Sequence, residues 1–396
     1  MGPRLRRPSV CRLVCAALFA TLTVATLIHL VLLAGMRLDV ALVFFQALAL
    51  SILLSAVPLT ILWVLERRER RTAWLFAAAF LWGGWIATAI ALPFNTAVIE
   101  LADKWIKQNP GVVRQLGPEA PLLLAAPISG PIIEELAKAL GVIVIFWLLR
   151  AEHKGVRDGI VYGALVGAGF NWFEAALYVA QGYGQYHAAP FGLQLGSRYA
   201  LLGLGGHAMF TGMFGAFLGL ALQTRRNWVR AFAPLFGLVL AIMAHMTNNV
   251  LPLIAVLAGA MPPQPEPPPD LSFIEAFTAH SLIELGLFLP FLLIAGLALW
   301  RSSVRERRVI GEELAGEDAF IVSPREHRDI LADRMLQTHR IDPIRRRASA
   351  ALVNAQHELG LRKRRVKEAG NDPSSDQVLA GFREDIRRLR AFIPAG

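Results

Sequence analysis

The sequence is poor in cysteine and in charge, and each shortage excludes a class of protein. Its 396 residues include only Cys11 and Cys15, too few for a framework of disulfides. The pair lies one helical turn apart, which is a weak metal signal and fits two small apolar residues better. Charged residues make up 18% of the chain and hydrophobic residues 55%. This composition indicates an integral membrane protein.

The H-E-x-x-H motif of soluble metalloproteases is also absent. The charge that is present is concentrated in the C-terminal part and sums to a formal +10. In a membrane protein, such an excess first indicates orientation by cytoplasmic lysines and arginines. We therefore expect no nucleic acid among the partners.

Eight apolar stretches are long enough to cross a bilayer at about 1.5 Å per helical residue. They cover residues 13–34, 40–65, 73–95, 122–149, 160–180, 199–222, 231–257 and 273–300. Basic residues mark both ends of the chain and alternate loops, which predicts cytoplasmic N- and C-termini. We predict an all-α, polytopic membrane protein with about eight transmembrane helices.

A charged tail follows the last span. We divide the chain into a transmembrane domain, 1–301, whose motifs lie in 120–255, and a mostly helical cytoplasmic tail, 302–396. Apolar residues are sparse in the tail, so its helices are predicted either to be solvated or to meet anionic headgroups. Its helical stretches are predicted at 324–336, 343–368 and 376–392.

Four consecutive spans carry strongly polar residues away from their ends. A charge at bilayer depth costs about 2.5–3.5 kcal/mol on insertion scales, so such residues usually face a protein interior and serve a function. The set comprises Glu134, Glu135 and Lys138 in the fourth span, Glu174 in the fifth, His207 in the sixth, and His245 and Asn249 in the seventh.

Helical spacing brings several of these residues onto shared faces. Lys138 follows Glu134 by four positions and Glu135 by three, so one ammonium can neighbour both acids. Counted from the predicted outer ends at ~1.5 Å per residue, the acids and imidazoles lie ~9–18 Å deep. This common level predicts one cavity in the outer half of the bilayer.

Two chemistries fit this cavity. Two histidines and a glutamate resemble a catalytic zinc set with an open position for water, with a second glutamate as general base. Without metal, a buried glutamate can activate water, while His245 and Asn249 hold the substrate carbonyl or its oxyanion. The residues are equally compatible with zinc and with no cofactor.

Each residue also has a purely structural interpretation. A single intramembrane histidine or asparagine most often makes one interhelical hydrogen bond. We expect this of His29, whereas Glu135 and Lys138 could form only a buried ion pair. The sequence assigns no role to His280 and Glu284 in the last span.

The four motifs together resemble the PrsW family of bacterial intramembrane proteases, which is related to the CAAX prenyl endopeptidases. They are E-E-x-x-K at 134–138, F-x-x-x-E at 170–174, the lone His207 and H-x-x-x-N at 245–249. Many members continue the second motif as Glu-Asn, where this chain has Ala175. The resemblance implies cleavage of a membrane-tethered protein, such as an anti-sigma factor, near the outer face of a bacterial inner membrane.

We therefore predict an intramembrane endopeptidase that uses glutamate-activated water, with the bilayer and a membrane-tethered protein as partners. The predicted catalytic residues are Glu134, Glu135, Lys138, His245 and Asn249; Phe170 is assigned to substrate binding, and Glu174, His207 and His245 to a metal, zinc if one is bound. A transporter or proton-coupled carrier is the alternative. A scaffold that acts through its tail is a third, and the oligomeric state stays open.

Overall fold

The computed structural model of the protein is helical throughout the part of the chain that it describes. That part comprises residues 8–66, 73–117, 119–148, 155–224, 226–260, 270–332 and 346–392. The chain forms two compact units, Met1–Val64 with Thr72–Ala295 and Leu65–Arg71 with Gly296–Gly396. The candidate site lies in the first unit.

Twelve numbered helices carry the chain as far as residue 314. They are α1 (Pro8–Ala34), α2 (Leu38–Leu65), α3 (Ala73–Leu81), α4 (Thr88–Lys107), α5 (Pro110–Leu116), α6 (Ala120–Ala125), α7 (Ser129–Leu148), α8 (Val156–Tyr186), α9 (Phe191–Arg198), α10 (Gly206–Gln223), α11 (Asn227–Leu257) and α12 (Phe273–Leu314). A π-helical turn, Trp82–Ala87, joins α3 to α4. A 3₁₀ turn, Ala200–Gly203, precedes α10.

Among the described residues, six helical segments are long and apolar enough to cross a membrane: Ala17–Ala34, Leu38–Leu65, Ala73–Lys107, Val156–Tyr186, Asn227–Leu257 and Phe273–Leu314. The protein is therefore a polytopic helical membrane protein. The predicted fourth and sixth spans correspond to α7, which carries three charged residues, and α10, which has 18 residues. The count of eight spans stays a prediction.

Helix α8 is the central helix of the first unit, and 94% of its most apolar stretch of 18 residues is buried. It packs against α10 through glycines, as the small residues at three- and four-residue spacing lead one to expect. At the closest point, a Cβ on Gly159 or on Gly215 would overlap the carbonyl oxygen of the other residue. This contact fixes how closely the two helices carrying Glu174 and His207 approach.

The third predicted span differs from the structure at its outer end. It was expected to stop at Asn95, but α4 continues to Lys107. Polar residues after Asn95 lower the hydropathy without interrupting the helix, and hydropathy alone located the boundary. The π-helical turn in this segment contacts α7, because Trp82 Nε1 donates a hydrogen bond to the carbonyl of Ala137 at 3.1 Å.

The sixth predicted span begins later than expected. Residues 199–205 are not part of α10, because Leu201 and Leu202 have positive φ angles of 51° and 61°. Side chains with a Cβ rarely adopt this left-handed region, and here the backbone N–H of Leu201 donates to Ser281 Oγ of α12 at 3.0 Å. His207 consequently lies in the first turn of α10.

The second unit has a hydrophobic core of its own. The helices after α12 are α13 (Pro324–Leu331), α14 (Arg346–Glu368) and α15 (Gln377–Arg390). Their core residues are Ile310, Leu314, Ile321, Val322, Ile330, Leu352, Leu359, Val366, Leu379 and Ile386. These residues are spread thinly over four helices and the turn before α13, so no single stretch of the sequence is strongly apolar. The tail helices of this unit pack together and are not separately solvated.

We predict that Gly215→Ala destabilises the first unit. The added methyl group would overlap the carbonyl oxygen of Gly159, and such overpacking costs about 1–3 kcal/mol. Gly286→Ala in α12 is the matched control, because a Cβ there has no atom within 4 Å. Thermal unfolding in detergent should show a lower Tm for Gly215→Ala than for Gly286→Ala. Equal values would contradict this account of the helix contact.

Acid is expected to loosen the second unit through Glu317. Burial opposes ionisation of this carboxyl group, but hydrogen bonds from Arg383 and Lys363 outweigh burial and lower its pKa from 4.5 to about 2. Because the folded pKa is depressed, this stabilisation is present above about pH 4.5 and is lost as the pH falls toward about 2.

Hydrogen exchange of α14 and α15 in the full chain measures this effect. Protection should fall across that interval in the wild type. Glu317→Gln should be less protected at neutral pH and should change less on acidification. The comparison is made between the two proteins at each pH, so the intrinsic pH dependence of exchange cancels. Identical profiles would show that Glu317 does not contribute.

Candidate functional site

Helix α7 places two carboxylates and one ammonium together inside the protein. Lys138 is fully buried, and its Nζ lies 3.3 Å from Glu134 Oε2 and 2.9 Å from Glu135 Oε1. The ammonium also lies 3.8 Å from the ring centroid of Phe170, a cation–π contact. The one-turn spacing read from the sequence therefore places both acids on a single cation.

His207 extends the cluster from α7 to α8. Its Nδ1 lies 2.8 Å from Lys138 Nζ, and its Nε2 lies 2.5 Å from Glu174 Oε2. An ammonium can only donate, so Nδ1 accepts its hydrogen bond and Nε2 carries the proton given to Glu174. Arg198 Nη1 donates to the same Glu174 oxygen at 2.6 Å. Glu174 thus orients the imidazole, and Arg198 balances the charge of Glu174.

His245 enters from α11 and is held in the same manner. Its Nδ1 lies 3.1 Å from Glu135 Oε1, and Thr211 Oγ1 donates to the other oxygen of Glu135 at 2.9 Å. Because the carboxylate can only accept, Nδ1 carries the proton, and Nε2 has a lone pair that can accept a hydrogen bond. That Nε2 lies 3.3 Å from Asn249 Nδ2 and 4.0 Å from Glu134 Oε2.

The residues of this cluster fit a divalent cation. One ligand atom from each of Glu134, His207 and His245 lies within 4.8 Å of the other two, and all three residues are buried. Both histidines place their other ring nitrogen on a carboxylate, the arrangement that orients metal-bound imidazoles. Lys138 hydrogen-bonds to Glu134 and His207, so a bound ion would compete with its ammonium for His207.

The sequence groups Glu174 with the two histidines as metal ligands, whereas in the structure Glu134 lies near the ring nitrogens that do not hydrogen-bond to a carboxylate. Glu174 contacts the opposite side of the His207 ring, and its assignment as a ligand stays a prediction. Phe170 is buried, with its ring 5.0 Å from that of His207. It borders the polar cluster at Lys138 and His207, and its role in substrate binding stays a prediction.

Asn249 joins the cluster to the segment before α7. Its Nδ2 lies 3.3 Å from His245 Nε2 and donates to the carbonyl oxygen of Ala126 at 3.3 Å. It therefore reaches the cluster from the same face of α11 as His245, as the four-residue spacing predicts. The structure brings together all the predicted site residues, and their individual roles remain to be tested.

The sequence analysis did not identify three residues that contact the cluster: Arg198 on Glu174, Thr211 on Glu135, and Asn95. Asn95 Nδ2 donates to Glu134 Oε1 at 3.0 Å, from a position in the middle of α4. The sequence predicts that the third span ends at Asn95, and no motif includes this residue. The one indication in the sequence is that Asn95 is an amide residue at the predicted outer end of that span, near the predicted depth of the cavity.

The remaining intramembrane polar residues lie outside the cluster. Glu284 is 2% exposed, and its carboxylate lies against the backbone of Gly205 and Gly206 where α10 begins. Glu284 therefore lies at the N-terminus of α10, the positive end of the helix that carries His207. His280, one turn earlier on α12, is half-buried. The sequence had assigned a role to neither residue.

His29 fulfils the structural expectation. Its Nδ1 lies 2.9 Å from the carbonyl oxygen of Ala25, and its Nε2 lies 3.2 Å from Thr88 Oγ1 of α4. The residue is buried, and both ring nitrogens are satisfied by these contacts. The prediction of an interhelical hydrogen bond is confirmed.

Comparison with known proteins gives one match. Residues 71–264 match the family model of the PrsW family intramembrane metalloproteases. The matched segment contains every residue of the cluster from Asn95 to Asn249, while Glu284 lies beyond it. No curated protein and no solved structure matches the chain.

Glu174→Gln is predicted to weaken zinc binding. The substitution removes the carboxylate that holds His207 Nε2, and losses of such supporting groups cost about 10–100-fold in metal affinity. The measurement is a zinc titration of the purified protein in detergent. Glu100→Gln, at an exposed position on α4, serves as control. Equal affinities for the two variants would remove Glu174 from the support of the site.

Proposed function

We propose that this chain, which belongs through residues 71–264 to the PrsW family of intramembrane metalloproteases, cleaves a membrane-tethered protein near the outer face of the membrane. Family membership makes the chain a protease that acts on membrane proteins in the bilayer. The finer proposal is a substrate of the anti-sigma-factor kind, with a single span cut close to its outer end.

The observation that carries the proposal is the convergence of polar groups on Glu134 Oε2. Lys138 Nζ, His207 Nδ1 and His245 Nε2 lie 3.3, 3.9 and 4.0 Å from this oxygen. They come from three different helices in a buried part of the protein. Polar groups that only joined helices would be satisfied in pairs, whereas this arrangement places several of them around one atom.

Each side chain then has a role in hydrolysis. Glu134 takes the proton of the attacking water, as a general base buried in a low-dielectric site. Asn249 Nδ2 supports the developing oxyanion of the substrate carbonyl, and His245 assists it as a second donor when Nε2 is protonated. Lys138 balances the carboxylates, while Glu135 and Glu174 fix the orientation of His245 and His207.

The cluster also fits a divalent metal ion, which the word metalloprotease in the family description implies. Glu134, His207 and His245 are the residues that would hold a divalent ion such as zinc. When bound, such an ion would act as a Lewis acid that polarises the substrate carbonyl and lowers the pKa of water.

The distribution of basic residues supports a bacterial inner-membrane location with both termini in the cytoplasm. Arginines and lysines cluster at the N-terminus, in alternate loops and after the last span, as the positive-inside rule requires for this orientation. The outer ends of the spans near the cluster then face away from the cytoplasm. A cut near that face would release the external part of a tethered substrate.

The central prediction is that Glu134→Gln abolishes cleavage. Loss of a general base typically lowers a rate by about 10²–10⁴-fold, and loss of a metal ligand has at least as severe an effect. Membranes from bacterial cells expressing the wild type, Glu134→Gln or the control Glu100→Gln are compared for new protein N-termini by mass spectrometry. New termini near the outer ends of single spans should appear with the wild type and the control alone.

A reporter peptide built from such a span then allows kinetics with purified protein. Chelation of metal and elemental analysis of the same preparation decide whether the cluster works with an ion. Identical termini with wild type and Glu134→Gln would contradict the proposal. Proton flux in liposomes without any cleavage would favour a carrier.

A further inference from the structure

Asn95 touches the central carboxylate and is not part of any motif. Its Nδ2 donates to Glu134 Oε1 at 3.0 Å, while the positively charged and imidazole groups all face Oε2. A free carboxylate can rotate and exchange its two oxygens. The hydrogen bond from Asn95 therefore restrains the plane of the Glu134 carboxylate, with one oxygen on the amide and the other toward Lys138, His207 and His245.

The orientation of this amide follows from its neighbour. Glu134 Oε1 accepts a hydrogen bond, so the NH₂ group of Asn95 must face it. The carbonyl oxygen Oδ1 consequently points away from Glu134. This Oδ1 is buried and receives no hydrogen bond from the residues that the structure describes. A buried acceptor without a donor is unfavourable, and at a site of catalysis it indicates a group that arrives with the ligand.

A buried glycine lies beside the oxygen of Glu134 that Asn95 contacts. Gly130 lies in the first turn of α7, and a Cβ there would be 3.3 Å from Glu134 Oε1 and 3.6 Å from Asn249 Nδ2. A Cβ at this position would press on Glu134 Oε1, so glycine leaves the gap between the Asn249 amide and the carboxylate without a side chain. Asn249 Nδ2 is a donor and Asn95 Oδ1 an acceptor beside the same carboxylate, and these are the two kinds of partner that a peptide group needs.

We propose that Asn95 is a substrate-binding residue whose Oδ1 accepts a backbone N–H of the extended substrate next to the cleaved bond, while its Nδ2 positions Glu134. This inference rests on the proposed proteolytic function. The ligand is a peptide backbone, and one side chain thereby couples the position of the substrate to that of the catalytic acid. Asn95→Ala removes both interactions, and Asn109→Ala is an amide control in the turn between α4 and α5, where Asn109 Nδ2 donates to the carbonyl oxygen of Trp105.

The first experiment needs no cleavage. Zinc is titrated into purified wild type, Asn95→Ala and Asn109→Ala in detergent, with Tm measured on each sample. Asn95→Ala should bind zinc about 10-fold more weakly, because Glu134 loses the donor that orients it. Asn109→Ala should match the wild type. Unchanged zinc affinity in Asn95→Ala would overturn the positioning role.

The second experiment tests contact with the substrate backbone. Reporter peptides are made with single amide N–H groups near the cleaved bond replaced by ester oxygens. For the wild type, one ester should raise KM about 10-fold, because an N–H that pairs with a buried acceptor is lost. For Asn95→Ala, KM should already be raised and the same ester should cause no further increase, the signature of direct coupling.

The outcomes separate the two proposals. If the wild type cuts the reporter and every ester raises KM equally in wild type and Asn95→Ala, Asn95 does not bind the backbone. Should Asn95→Ala fail to fold, Asn95→Gln keeps both amide groups, and its ester series must show the same single sensitive position. Absence of cleavage by the wild type would instead refute the proposed function.

Discussion

The mutual neutralisation of buried charges around Lys138 is the interaction on which this site depends. A lysine with no exposed surface is costly at bilayer depth, and so are the carboxylates of Glu134 and Glu135. The burial of each charge is tolerated because an opposite charge lies at about hydrogen-bonding distance from it. The cluster is therefore cooperative: removal of one charge leaves the remaining charges buried without compensation.

The surrounding helices make this neutralisation geometrically possible. Glycine contacts bring α10 close enough to α8 for His207 to reach Glu174, and α11 delivers His245 to Glu135. Helix α4 adds Asn95 on the side away from Lys138. Glu134 is thus contacted on one oxygen by an amide and on the other by an ammonium, with two imidazoles nearby. The two oxygens of Glu134 therefore have different kinds of neighbour, which a simple ion pair does not require.

The two carboxylates next to the histidines differ from Glu134 in their surroundings. Glu135 accepts from Lys138, Thr211 and His245, and Glu174 accepts from Arg198 and His207. Each of these two acids hydrogen-bonds one imidazole directly, whereas Glu134 Oε2 lies 3.9 and 4.0 Å from the nearest imidazole nitrogens. In the proposed mechanism, Glu135 and Glu174 therefore hold the imidazoles, and Glu134 meets water or a metal. The structure thus gives the three glutamates different neighbours.

The sequence by itself determined the class of the protein and most of the site. Long apolar runs predict membrane helices, since only a helix satisfies its own backbone in lipid. Polar residues stand out against these runs because their insertion is costly, so Glu134, Lys138, Glu174, His207 and His245 were identifiable at once. Within one helix, the three- and four-residue spacings of α7 and α11 predict the shared faces that the structure has.

Only the tertiary structure decided how the helices face each other. Hydropathy ended the third span at Asn95, and only packing of α4 against α7 shows that its amide reaches Glu134. The partner of each histidine likewise depends on helix rotation, which the sequence does not contain. In the tail, the apolar residues of the core are far apart in the sequence, and they meet only when the helices pack together. Spacing along one helix is fixed by its period, whereas contacts between helices arise from the fit of their whole surfaces.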